Sequence, residues 1–168
     1  MGPTAAPWFP APAPEGRYRV EARVTGPGVA TGRAKGRTIE FDTSRSGSDE
    51  LPGPAELLIL AFAACLLKNV ERFSHLLSFD YDGASVAIVA ERQEAPPRFT
   101  TIRYELRVAT AESEHRVELL HRNLRRFGTV YNTLAATCDV DGTIVAGPDA
   151  TDAFERAPVD ALRSQMCC

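Results

Sequence analysis

The sequence has little excess charge of either sign. Its 19 lysines and arginines fall slightly short of its 22 aspartates and glutamates, leaving a net charge of −3 at pH 7. Such a chain has no broad cationic field to gather phosphates, which argues against nucleic acid as a partner. Long hydrophobic runs are missing too. The longest, Leu57 to Leu67, is well short of the roughly 20 residues that span a bilayer, and no basic, apolar and small-residue leader opens the chain. These absences predict a soluble cytoplasmic protein with no membrane partner. Cysteine is scarce: Cys65, Cys138, Cys167 and Cys168 are too few and too irregularly spaced for a disulfide scaffold. There is no Cys-x-x-Cys and no paired Cys/His spacing, and His75, His115 and His121 are scattered. No metal or other cofactor is expected, and the histidines read as surface or boundary residues.

What is present is ordinary globular material: 168 residues, 44% hydrophobic and 24% charged, enough for one sizeable core. Residues 1–16 hold five prolines among small residues, a composition that favours extended backbone and excludes helix. They form a Pro-rich arm whose bulky groups, Trp8 and Phe9, either dock on a partner subunit or stay unpacked. The folded domain is expected over 17–147, with a tail over 148–168.

From Arg17 the pattern has period two, with Tyr18, Val20, Ala22 and Val24 on one side and charged residues on the other, the mark of a strand with one wet face. Turns at Gly26-Pro27-Gly28 and at Gly36 separate two more short strands, so the domain opens as a β-meander. After a polar loop over 43–53, Pro54 stands at the first turn of a helix that continues to about Leu77. Its first half, with Leu57, Leu58, Ile59, Leu60, Phe62, Leu66 and Leu67, has no polar face and requires burial on nearly every side. A monomer of this size struggles to enclose it, which predicts a homodimer.

Two strands follow, Ser85–Arg92 and Thr101–Val108. In the second, Ile102, Tyr104, Leu106 and Val108 alternate strictly with Thr101, Arg103, Glu105 and Arg107. A second helix over Glu112–Phe127 carries Val117, Leu120, Leu124 and Phe127 at helical spacing and ends at Gly128, read as its C′ residue. A helical turn over Val130–Ala136 and a last strand using Val140 and Ile144 complete the domain. This order is α+β, with helices packed on antiparallel sheet around a long buried central helix.

The helix segment Pro54-Ala-Glu-Leu-Leu-Ile-Leu-Ala-Phe-Ala-Ala-Cys65-Leu-Leu-Lys-Asn69 resembles the central helix of the superfamily of osmotically inducible protein C (OsmC) and organic hydroperoxide resistance (Ohr) proteins. A second match, Val130-Tyr131-Asn132-Thr133-Leu134, resembles the Cys-Pro-Val-x-Asn-Thr-Leu segment of that family. The resemblance covers roughly residues 17–146 and implies an intertwined homodimer with two pockets at the subunit interface. Its Pro-x-Glu-Leu-Leu opening is nearer a less characterised branch. Members commonly reduce organic hydroperoxides with two cysteines, assisted by an arginine and a glutamate.

The resemblance implies that Cys65 is the peroxide-attacking thiol, although a small core hydrophobe is the alternative for a cysteine on such a helix. A thiolate there needs a compensating charge, since burial disfavours the anion. Arg33, in a stretch resembling a Gly-Arg-x-Gly-Arg segment of hydroperoxide-resistance proteins with one residue inserted, is the candidate cation, and Arg37 competes with it; a solvated residue on a strand face is the alternative for either. The second family cysteine is absent, because Gly128 occupies its place. The family's glutamate would fall at Ala55. Glu56 is adjacent, but one residue on a helix is a rotation of about 100°, so Glu56 is either a catalytic partner or a charge placed at the positive end of the helix. Phe62, Lys68, Asn69, Tyr131 and Asn132 are expected to line the pocket, with polar contacts at the dimer boundary as the alternative for the last four. Cys138, Cys167 and Cys168 are open as resolving thiols or as incidental.

The leading expectation is therefore a cysteine-dependent organic hydroperoxide reductase of one-cysteine type, taking a small lipophilic peroxide and an external thiol reductant. The alternatives are a non-catalytic dimer that binds a lipophilic small molecule and a thiol redox sensor.

Overall fold

A computed structural model of the protein describes residues 16–148. The Pro-rich arm with Trp8 and Phe9, and the tail beyond Pro148 with Cys167 and Cys168, lie outside the described residues. The chain divides into two compact units, one ending at Glu56 and the other beginning at Leu57.

In the first unit, β1 (Glu21–Gly26), β2 (Val29–Ala34) and β3 (Arg37–Asp42) form the expected antiparallel meander in the order β1-β2-β3. The β2–β3 hairpin closes on Lys35 and Gly36, both at positive φ (49° and 74°), the conformation that two-residue hairpin turns require. That hairpin also corrects the first strand. Pairing of β1 begins with Glu21 opposite Arg33, four residues later than the period-two pattern suggests, and in that register Tyr18 would fall opposite Gly36 of the turn, beyond the end of β2. Both are left exposed, at 89% and 68%. Asp42 closes the sheet: its N–H donates to Pro52 O at 3.0 Å and its carboxylate accepts from Ser44 N at 2.8 Å.

The central helix α1 (Pro54–Leu77) starts with Gly53 as the residue before the first turn, Pro54 inside it, and the Glu56 carboxylate reaching back to Gly53 N–H at 3.0 Å. This satisfies one of the orphan donors of a helix start. The helix stops at Ser78, whose φ of 49° lets Phe79 N–H bond back to Ser74 O at 2.9 Å. Arg116 closes the end, donating to the carbonyls of Leu77 and Ser78 while its guanidinium pairs with Glu112.

In the second unit, β4 (Gly83–Glu94), β5 (Pro97–Ala109) and β6 (Asp139–Gly147) form a sheet in that order, with α2 (Glu114–Phe127) and α3 (Thr129–Ala135) between β5 and β6. The β4–β5 hairpin is longer than the alternation alone indicates, because pairing runs on to Glu94 opposite Pro97 past an irregularity at Glu91/Arg92. β5 and β6 pair in parallel, a geometry that period two does not distinguish and that the two-helix connection permits. The alternation in β5 fixes the core: Ile102, Tyr104, Leu106 and Val108 are at most 3% exposed, and they pack with Phe62, Leu66, Val70 and Phe73 of α1, Val117, Leu120 and Leu124 of α2, and Leu134 of α3. Gly142 stands opposite Tyr104 on β6, where an added Cβ would clash with the Tyr104 ring and lie 2.5 Å from Tyr104 O. Only a residue without a side chain lets the strand lie against that ring.

One expectation needs amending. Phe127, assigned to the core by its spacing, is 44% exposed, although its ring lies 5.6 Å from that of Phe73. On α1 the single chain leaves Leu58 and Leu60 41% and 61% exposed, in keeping with the expectation that one chain does not enclose this helix. No helix among the described residues is long and apolar enough to cross a membrane.

Candidate functional site

Cys65 lies in the middle of α1, half-buried and reduced. One turn on, Asn69 is almost wholly buried; its amide donates to Cys65 O at 2.8 Å and approaches Cys65 Sγ at 3.6 Å. The second neighbour arrives from a distant part of the chain. Gly128, between α2 and α3, is so placed that a Cβ on it would lie 3.4 Å from Cys65 Sγ.

Gly128 corrects the expectation of a left-handed helix end. Its φ is −75°, which any residue adopts. Its N–H closes α2 on Leu124 O at 3.1 Å, and its carbonyl opens α3 by accepting from Asn132 N at 2.9 Å. Space explains the glycine instead, since an added Cβ would meet both Leu124 O and Tyr131 Cβ at 2.9 Å.

The other residues assigned to the pocket divide into three sets. Phe62 is fully buried and Tyr131 only 6% exposed; their rings lie 5.9 Å apart, and Phe62 meets Tyr104 edge-on at 5.8 Å. They form the core wall behind the helix. Lys68 and Asn132 are exposed, and neither hydrogen-bonds Cys65 among the described residues; the Asn132 amide instead donates to Arg126 O at 3.1 Å. Arg33 and Arg37 flank the hairpin of the first unit, exposed and without a hydrogen bond or ion pair among the described residues, while Glu56 is engaged at the start of α1. Cys138 is free and partly buried at the edge of the core, its thiol 3.2 Å from Leu134 O.

A second polar cluster has no motif in the sequence. The Tyr104 hydroxyl is 2.7 Å from His121 Nε2, and Arg125 Nε donates to the Tyr131 hydroxyl at 3.0 Å while its guanidinium lies 3.7 Å from Asp141. Burial pushes the Tyr104 hydroxyl well above the usual phenol range. Burial, and then the neighbouring Arg125 charge, hold His121 below the usual imidazole value. The bond to Tyr131 holds Arg125 more firmly protonated still. The one signal the sequence offers is Tyr104 itself, a hydroxyl on the buried face of β5 that needs a partner.

The family model described as OsmC-like protein matches residues 47–142, more than half of the chain. The chain belongs to the OsmC-like family. The matched span of this OsmC-like protein contains Cys65, Asn69 and Gly128 and begins after Arg33 and Arg37. Its fold is similar to that of an OsmC-like protein from Mycoplasma pneumoniae, with a TM-score of 0.73, 14% identity, and 79% of this chain and 99% of that one covered. It is similar also to an organic hydroperoxide resistance protein OsmC from Legionella pneumophila, with a TM-score of 0.61 and 15% identity over 76% of this chain and 96% of that one. The organic hydroperoxide resistance protein OhrB of Bacillus subtilis follows at 0.58, with 14% identity over 77% and 98%. No curated protein matches the sequence.

Proposed function

We propose that this OsmC-like protein reduces organic hydroperoxides through Cys65 by a one-cysteine mechanism. The observation that carries the reading is the pairing of Cys65 Sγ with a position, Gly128, that has no thiol to offer. The Cys65 thiolate attacks the outer peroxide oxygen, the O–O bond breaks, and the alkoxide leaves and takes a proton to become the alcohol. Cys65 is then a sulfenic acid. An external thiol condenses with it, releasing water and forming a mixed disulfide, and a second external thiol displaces the first and restores Cys65. Fold neighbours whose own names refer to organic hydroperoxide resistance support the substrate class.

In this reading Arg33 or Arg37 provides the cation that favours the thiolate, within one subunit or across a dimer. The homodimer is supported by the apolar side chains that each unit leaves open, Val24 and Ile39 in the first and Leu58 and Leu60 in the second, all more than 40% exposed. Isolated exposed apolar residues are commonplace, but two of them on a helical stretch with no polar face favour a partner subunit. A cytoplasmic setting would supply the reducing thiols.

The test is the intact mass after one equivalent of cumene hydroperoxide, with and without a dimedone-type trap. The expected product is a single trapped sulfenic acid, absent in Cys65→Ser. An unmodified Cys65 would overturn the peroxidase. It would then favour a non-catalytic dimer that binds a lipophilic small molecule, a reading supported by the engagement of Glu56 with Gly53 at the start of α1.

A further inference from the structure

On the outer face of α2 lies a groove of about 440 Å³ lined by Glu118, His121, Arg122, Arg125, Arg126 and Tyr131. The five α2 residues fall at i, i+3, i+4, i+7 and i+8, one face of a helix. Neither the Arg122 nor the Arg126 guanidinium makes a hydrogen bond or ion pair among the described residues, although Arg126 lies 5.2 Å over the Phe127 ring. Arg125 has only a long pairing with Asp141, at 3.7 Å, beside its bond to Tyr131. Three guanidinium groups thus face two carboxylates, those of Glu118 and Asp141, on a chain whose net charge is −3.

We propose that this groove binds a small multivalent oxyanion, a phosphate- or dicarboxylate-bearing metabolite, through Arg122, Arg125 and Arg126, and that His121 takes up a proton as the anion binds. Guanidinium forks match planar and tetrahedral oxyanions, and a concave setting strengthens each bond relative to open water. The groups facing His121 are the Tyr104 hydroxyl from β5, Asp141 from β6, Tyr131 from α3, and Glu118, Arg122 and Arg125 from its own helix. Arg125 works against an imidazolium there, so an anion that neutralises the arginines removes the opposition and favours the proton. By linkage, the anion binds more tightly as pH falls.

The arginines of the last turn also complement the negative end of the α2 dipole. That role alone needs no ligand and would leave His121 indifferent to which anion is present.

The experiment follows the imidazole resonance of His121 in the full chain by NMR, assigned with His121→Gln, through pH titrations in chloride, inorganic phosphate and succinate at matched ionic strength. The expected result is a saturable upward shift of the His121 midpoint by about one pH unit in phosphate, succinate or both. A response to only one of them identifies the ligand class. The double variant R122Q/R126Q should bind about tenfold more weakly, and Arg122→Lys should lose less. The folded state of each variant is read from the same spectra. Identical midpoints in all three salts, or an anion response that survives intact in the folded double variant, would overturn the proposal.

Discussion

The sulfur of Cys65 lies 3.4 Å from where a side chain on Gly128 would begin, although the two residues are 63 positions apart. The glycine leaves the thiol without an internal partner on that side, and the same closeness makes it hard to replace. Gly128→Ala should destabilise the fold by about 1–3 kcal/mol through overpacking against Leu124 O and Tyr131 Cβ, read as a lower urea midpoint.

Gly128→Cys should carry a similar penalty but change the chemistry. With a thiol beside Cys65, one equivalent of cumene hydroperoxide is expected to give a disulfide between Cys65 and the introduced thiol in place of the trapped sulfenic acid. Non-reducing peptide mapping checks this. Failure to form the bond in a folded variant would mean that the approach seen here does not meet disulfide geometry.

Arg33→Gln and Arg37→Gln separate the two candidate cations. The variant that removes the activating charge should slow oxidation of Cys65 by about tenfold or more, with the other near wild type, measured as the rate of sulfenic acid trapping. Equal, unchanged rates in both variants would remove arginine from thiol activation.

Leu60→Glu places a charge on the part of α1 that one chain leaves 61% exposed. If a second subunit covers that surface, the variant should dissociate at micromolar concentrations in sedimentation velocity, because an unpaired charge in an apolar interface is strongly unfavourable. A wild-type dimer that Leu60→Glu leaves intact would place the interface elsewhere.

His121 gives the stability of the fold a pH dependence with a definite sign. Burial lowers its folded value below the ordinary imidazole value of 6.5, so the unfolded chain takes up the proton first. Stability should therefore decline as pH falls from about 6.5 towards the lower folded value, and level off below it. The difference between wild type and His121→Gln, measured by denaturation from about pH 8 to about pH 5 as is usual for imidazole titrations, isolates this slope. A constant difference across the range would show that His121 does not titrate in it.

Much of this protein is local enough to read from the chain alone. The strict alternation of Ile102, Tyr104, Leu106 and Val108 determines which face of β5 is buried, since side chains on a strand point to opposite faces in turn. Pro54 and Glu56 mark the start of α1, and the segments around Cys65 and Val130 carry the family resemblance. The same pattern puts Gly128 where a second thiol is missing. Other features depend on segments meeting in space. Nothing local pairs Tyr104 with His121, 17 residues away, or brings Gly128 up to Cys65 Sγ, 63 residues away. The conformation of Gly128 is hidden for the same reason: its sequence context suggests a helix end that needs a left-handed residue, whereas its identity is dictated by two atoms, Leu124 O and Tyr131 Cβ, that leave no room for a methyl group. Periodicity and capping act along one chain segment and leave a signature there; close approach between segments is decided by packing, and only the tertiary structure records it.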